Sequence, residues 1–400
     1  MAPPPPPSAA LPDELVEEIL LRLPTDDPAC LLRSSLVSKA WSGAVSGPGF
    51  RRLLHELHGT PPVLGLLHDQ DSDRAPSFFP TTASSFSLAV PDGRSWLARD
   101  CCHGRALFFP KCEDAKELLV WEPITGAQHL MPVPAALERG YLAVAVLCTA
   151  DGCDHRDCLG SPFRVLFVFP GGYGTSACVY WSETGAWGEP ASTHDDLMVY
   201  IQHSGILDGS SQLYFVFYDH EESGWILEYD FSRHSLSLFS APDNHFGLYN
   251  LVLADDGGLG VIQHVHPHLK LWTRDASDGT DARWVLSRVI SPCNLLPTSA
   301  RLDEGYRVLV VGFAEGANVI FVSTLAGLFA IELQSEQVKK VCDQCSFHNM
   351  VPVVTFYTPM ARGNLQNLLA QQLADHCSNA IKEGDFVNTF ESIRHDHNIS

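Results

Sequence analysis

Positive charge is what this chain has least of. Against 47 acidic side chains it carries 26 basic ones, a formal net charge of −21. Phosphate backbones and anionic lipid would repel such a surface, and no basic stripe offsets it. Nucleic acid and membrane are therefore excluded as expected partners. Long apolar runs are missing as well. The longest, around 141–150, is half of the ~20 residues a spanning helix needs. The start of the chain has neither a positive n-region nor an apolar h-region. The expectation is a soluble protein of the cytoplasm, the nucleus or both. In that reducing setting its 12 cysteines read as buried thiols rather than disulfides. Catalytic signatures are absent too. There is no Gly-x-Ser-x-Gly elbow, no phosphate-binding Gly-x-x-x-x-Gly-Lys and no His-Glu-x-x-His. A non-enzyme without a cofactor is expected.

What is present is organised in four parts. Residues 1–10 form a proline-rich tail, and 11–58 read as helical. Residues 63–359 alternate short apolar, aromatic and β-branched runs with Gly, Asp, Ser and Pro turns. Residues 360–400 are a polar tail in which Leu365, Leu368, Leu369 and Leu373 suggest one short helix.

In the helical part, Asp13 reads as an N-cap, and Glu14 and Glu17 complement the first-turn dipole. Leu15, Ile19 and Leu23, with Val16 and Leu20, make an apolar stripe that Pro24 ends. Asp27-Pro28 opens a second helix, whose apolar pattern runs through Leu31, Leu32, Leu36, Val37 and Trp41. Arg33-Ser34-Ser35 reads as its solvated face. Gly47-Pro48-Gly49 breaks the pattern before a last helix carrying Phe50, Leu53, Leu54 and Leu57. The stripe is wider than so small a bundle can cover, which points to a partner.

The β region repeats. A strand, a polar turn and a further strand recur at Leu119-Val120-Trp121, Val179-Tyr180-Trp181, Leu227-Glu228-Tyr229, Leu271-Trp272 and Phe329-Ala330-Ile331. The intervals are 60, 48, 43 and 59 residues, counted from Trp121 through Trp181, Tyr229 and Trp272 to Ile331. A four-stranded propeller blade needs roughly 40–50 residues. Five copies are clear, and a sixth would join 63–90 to 351–357. The fold class expected is therefore α+β and multidomain: a small helical module, then an all-β propeller of six blades, with seven as the alternative count.

The run Leu11-Pro12-Asp13-Glu14-Leu15, then Ile19-Leu20-Leu21-Arg22-Leu23-Pro24, then Val37-Ser38-Lys39-Ala40-Trp41 resembles the F-box family. Residues 11–58, followed more loosely by 63–359, resemble plant F-box proteins with a C-terminal, propeller-like F-box-associated domain. That resemblance implies a Skp-type adaptor bound by the F-box, a cullin reached through it, and a protein target held by the β domain for ubiquitination. It also implies that Leu11, Pro12, Leu15, Ile19, Leu20, Leu23, Pro24, Val37 and Trp41 are adaptor-facing or module-core positions. The alternatives are an F-box binding protein acting outside a ligase, and a propeller that binds sugar or protein without a ubiquitin role.

Two cysteine groups stand out. Cys342-Asp-Gln-Cys345 has metal or redox spacing but no second pair nearby. Cys148, Cys153, His155 and Cys158 could supply four zinc ligands from one loop, set against the simpler reading of free thiols. His264, His266 and His268 alternate around Pro267 and read as surface. Acidic loops at 69–74, 151–159 and 219–223 suggest a basic target.

Overall fold

The computed structural model describes residues 12–359 apart from 48, 70–75, 83–85, 89, 92–95, 112–115, 136–142, 150–154, 156, 172–173, 194–204, 209–210, 220–222, 244–247, 276–281, 298–307 and 344–349. The expected tails 1–10 and 360–400, Leu11, Cys153 and Cys345 lie outside the described residues.

Four short helices open the chain: α1 (Asp13–Leu21), α2 (Pro28–Ser35), α3 (Lys39–Val45) and α4 (Phe50–His58). Two local readings need correction. Pro12, not Asp13, is the N-cap of α1, and Asp13 is already helical. The second apolar pattern is broken at Ser38, whose hydroxyl accepts the Trp41 N–H at 3.1 Å and starts α3. A serine cap satisfies an orphan amide and so ends one helix and begins another within three residues. Asp27 caps α2 as expected, accepting from the Ala29 N–H at 3.2 Å. Ser35 is buried rather than solvated, because its hydroxyl donates to the Leu32 carbonyl at 2.6 Å.

Six sheets follow. β1 (Val63–Asp69) and β2 (Pro76–Pro80) precede the first complete blade: β3 (Trp96–Cys102), β4 (Arg105–Pro110), β5 (Glu117–Trp121) and β6 (Gln128–Pro132). The second blade has β7 (Ala143–Cys148), β8 (Phe163–Pro170), β9 (Thr175–Trp181) and β10 (Ala186–Trp187), with β11 (Ala191–Ser192) also on β9. The third has β12 (Ile206–Asp208), β13 (Gln212–Tyr218), β14 (Gly224–Asp230) and β15 (Ser235–Ser240). The fourth has β16 (Tyr249–Leu253), β17 (Leu259–Val265), β18 (His268–Asp275) and β19 (Arg283–Ile290), followed by a one-turn helix, α5 (Pro292–Leu295). The fifth has β20 (Leu309–Ala314), β21 (Val319–Thr324), β22 (Gly327–Glu332) and β23 (Val338–Cys342). The sixth sheet is β2-β1-β24, with β24 (Met350–Val354) arriving from the other end of the domain.

The chain is thus a six-bladed propeller closed by pairing its two ends. All pairings are antiparallel, and β1 lies on β24 with Leu67 opposite Val351. First strands touch around the axis, β24 beside β3, β3 beside β7, and β20 beside β24. Each of the six blade-to-blade seams has its own apolar core. One seam joins Leu107, Phe109 and Val120 to Val146, Val165 and Phe167; another joins Leu66 to Val311, Phe321 and Leu328. A middle strand is covered on both faces by neighbouring blades, so it reads as an unbroken apolar run.

The strands that mark the repeat in sequence are the third strands of five blades. The turn after the third strand recurs too. Gly126 and Gly185 donate to the carbonyls of Glu122 and Trp181 at 2.8 and 2.9 Å, and both have positive φ, 71° and 66°. Glu336 donates to Glu332 at 2.9 Å from φ 55°. This left-handed position favours glycine, which is why Thr-Gly marks two copies.

Candidate functional site

The helices pack one face inward and leave another bare. Val16, Leu20, Leu31, Val45, Phe50 and Leu54 form one core, and Phe356 from the end of the propeller joins it. Leu23 and Trp41 pack at its margin. Leu15 (46% exposed), Ile19 (44%) and Val37 (65%) point outward, with Leu36 beside Val37. Pro12 and Pro24 are exposed as well. The sequence could not separate core from surface roles, and the fold does: Leu20 belongs to the core, whereas Leu15 and Ile19 form an i, i+4 apolar pair on the free side of α1. Large aliphatics left in water on so small a module are what a partner would bury.

The opposite side of the module is anchored. His55 packs edge-on against Phe356 with ring centroids 4.5 Å apart. Arg51 pairs with Asp157 at 2.6 Å and donates to the Thr358 hydroxyl at 2.5 Å. Asp157 lies in the β7–β8 connection and Thr358 follows β24, so α4 sits over the face where first strands end. Leu32 of α2 also packs on the seam between the first and sixth blades. The β4–β5, β8–β9, β13–β14, β17–β18 and β21–β22 hairpins lie on the other face, away from the helices.

A cavity of about 270 Å³ follows the propeller axis beneath α4, where Arg51 and His55 line its end. Its walls carry Asp100, Cys102, His103 and Glu315. Asp100 is buried and accepts the Val146 N–H at 2.7 Å, tying the first blade to the second. Burial, and then the Asp100 charge, pushes the Glu315 acid up to about 8. Burial also raises the Cys101 and Cys102 thiols, which stay protonated and are poorly suited to nucleophilic attack. Burial, and then His155, lowers His103 to about 3. None of these groups was singled out from sequence. The signal was the polar run Asp100-Cys101-Cys102-His103 ending an innermost strand.

The Glu315 shift has a consequence for stability. The folded acid keeps its proton up to about pH 8, whereas the unfolded acid releases it near 4.5. Its contribution is full below about pH 4.5 and is lost as pH rises through 8. Between pH 6.5 and 8 the loss is at most about 2 kcal/mol, from about 1.4 kcal/mol per pH unit. Glu315→Gln, neutral throughout, should lose correspondingly less stability over this range. Urea unfolding of both proteins at the two pH values reads the difference, and parallel losses would contradict the assignment.

The remaining sequence candidates fall as follows. Cys148, His155 and Cys158 converge, each offering a ligand atom within 4.8 Å of the others. Cys342 ends β23 at the edge of its blade. The histidine run is a hairpin around a cis His266–Pro267 bond, so the three rings do not share a face. His264 departs from the surface reading. Its ring contacts the Asn250 carboxamide oxygen at 2.7 Å, and burial lowers it to about 4. In the acidic loop at 219–223, Asp219 accepts the Ser223 N–H and the Trp225 indole N–H, both at 2.9 Å, so that carboxylate shapes its own turn.

An F-box domain model matches residues 9–53. A second model, described as "F-box protein AT5G49610-like, beta-propeller", matches residues 98–360. The chain belongs to this F-box β-propeller family. Curated proteins give no match. Among solved structures, the chain is similar to a functionally unknown protein from Desulfotomaculum acetoxidans at 10% identity and TM-score 0.42, covering 74% of this chain and 89% of that one. It is also similar to a calcium-binding protein, regucalcin, from Agrobacterium tumefaciens at 12% identity and TM-score 0.37, covering 75% and 98%. A third is the Dos1 propeller, at 12% identity and TM-score 0.35, covering 71% and 69%. F-box domains generally bind Skp-type adaptors, and an F-box joined to a propeller is typical of non-catalytic adaptor proteins.

Proposed function

We propose that this F-box protein is the target-recognition subunit of a Skp–cullin–F-box ubiquitin ligase, working in the cytoplasm, the nucleus or both. Leu15, Ile19, Val37 and Pro24 contact the Skp-type adaptor, with Leu11 and Pro12 at the edge of the interface. Leu20, Leu23 and Trp41 act through the module core. The propeller holds a protein target, and the ubiquitin chemistry takes place on other subunits. The observation that carries this reading is the bare apolar pair Leu15 and Ile19 on a module whose other side is fixed to the propeller. Such a rigid mount holds adaptor and target at a set separation, which raises the effective concentration of target lysines near the charged ubiquitin carrier. The helices cover one face of the ring, so the hairpins of the opposite face are left for the target.

Affinity purification of the full chain from cells tests the ligase role. Adaptor, cullin and ubiquitin-transfer activity should be recovered together. Adaptor recovered without cullin would instead indicate a binding protein acting outside a ligase.

A further inference from the structure

Asp157, which pairs with Arg51 of α4, lies next to an unexplained cluster formed by the end of β7 and the connection after it. Cys148 closes β7, and Cys158 lies ten positions further along the chain; both are buried, each 4% exposed. His155 has a positive φ of 58°, which a non-glycine residue seldom adopts. Its Nδ1 stands 3.6 Å from the Cys158 Sγ. A sulfur and a nitrogen bound to one tetrahedral zinc are separated by about 3.5 Å, from bond lengths of about 2.3 and 2.0–2.1 Å. The three ligand atoms all lie within 4.8 Å of one another, three of the four donors a tetrahedral zinc takes.

The surroundings hold these groups in place. The His103 ring stacks on His155 at 3.9 Å with planes 3° apart, and its Nδ1 accepts the Cys148 N–H at 3.3 Å. Arg105, 1% exposed, donates to the carbonyls of Cys158 and Ser161. Outer contacts of this kind fix ligand orientation in metal centres. Two thiolates would neutralise a divalent ion, so the filled site would bury no net charge.

We propose that Cys148, His155 and Cys158 are ligands of a zinc site that ties the end of β7 to Cys158 and thereby presents Asp157 to Arg51 of α4. Two thiolates with one imidazole favour zinc over the hard, oxygen-seeking cations magnesium and calcium. Asp157 directly precedes Cys158 and pairs with Arg51 at 2.6 Å, so a metal held there would brace the F-box against the propeller. The proposal stands independently of the ligase reading.

The test uses the full chain, purified reduced and without chelator. Elemental analysis should find about one zinc per chain. Cys148→Ser and Cys158→Ser should each lower that to near zero, and Cys342→Ser should leave it unchanged. These variants could fail to fold, so a second measurement uses the wild-type protein alone. Cobalt exchanged for zinc should give a sulfur-to-cobalt charge-transfer band and the intense visible bands of a tetrahedral centre. Chelation should lower the melting temperature of the wild type. A folded wild-type chain with neither zinc nor cobalt bands would overturn the proposal. So would bands that persist in the Cys148→Ser/Cys158→Ser double variant.

Discussion

Leu15→Ala combined with Ile19→Ala is expected to weaken binding to a Skp-type adaptor by about 3 kcal/mol, roughly a hundredfold in Kd, while leaving the melting temperature unchanged. Both residues are nearly half exposed in the free protein, at 46% and 44%, so truncating them removes little from the folded chain. The estimate allows about 0.8 kcal/mol per buried methylene and discounts for the flexibility of an exposed helix face. Leu20→Ala is the informative contrast. Leu20 is fully buried in the module core, and its truncation should destabilise that core by about 2–5 kcal/mol. Loss of adaptor binding in that variant would therefore accompany a lower melting temperature, whereas in the double variant it would not. Titration calorimetry with purified adaptor, paired with thermal unfolding, separates the two. Unchanged affinity in the Leu15→Ala/Ile19→Ala protein would show that the bare face is not the interface.

The second large effect is expected at Arg105. This side chain opens β4, is almost wholly buried, and stands 3.3 Å from the Glu122 carboxylate. Glu122 in turn accepts the Gly160 N–H and the Thr125 hydroxyl, both at 2.9 Å. With its bonds to the carbonyls of Cys158 and Ser161, Arg105 joins the first blade to the β7–β8 connection. Arg105→Ala would leave Glu122 charged and partly buried without its counter-ion, a change that costs about 3–5 kcal/mol in comparable sites. Urea unfolding should show a loss of that size. Pairing Arg105→Met with Glu122→Gln should recover part of it, because the uncompensated charge is gone. Equal losses in the single and double variants would place the energy in packing rather than in the ion pair.

Which parts could be read from residues alone follows from how burial is distributed. Second strands such as Val165–Phe169 and Leu213–Tyr218 are buried on both faces, so they read as unbroken apolar runs. Outer strands carry a weaker pattern: Gln128–Pro132 buries Met131 alone. The innermost β12 has three residues, too few for any period to register. The helical module was legible in its stripe and stops, but not in the break at Ser38, where one hydroxyl overrides an apolar pattern. The cavity groups escaped notice for a different reason. Asp100 and Glu315 lie far apart in sequence and meet only when the ring closes. His155 and Cys158 were visible as a spacing, yet their approach to Cys148 depends on a left-handed turn and on Arg105 from another blade.

Hydrogen exchange of the full chain, with and without a Skp-type adaptor, tests the central claim most directly. Exchange should slow over Asp13–Leu21 and across the turn from Leu36 to Trp41, with no change in the propeller strands. Slowed exchange confined to the propeller hairpins, with α1 unaffected, would contradict it.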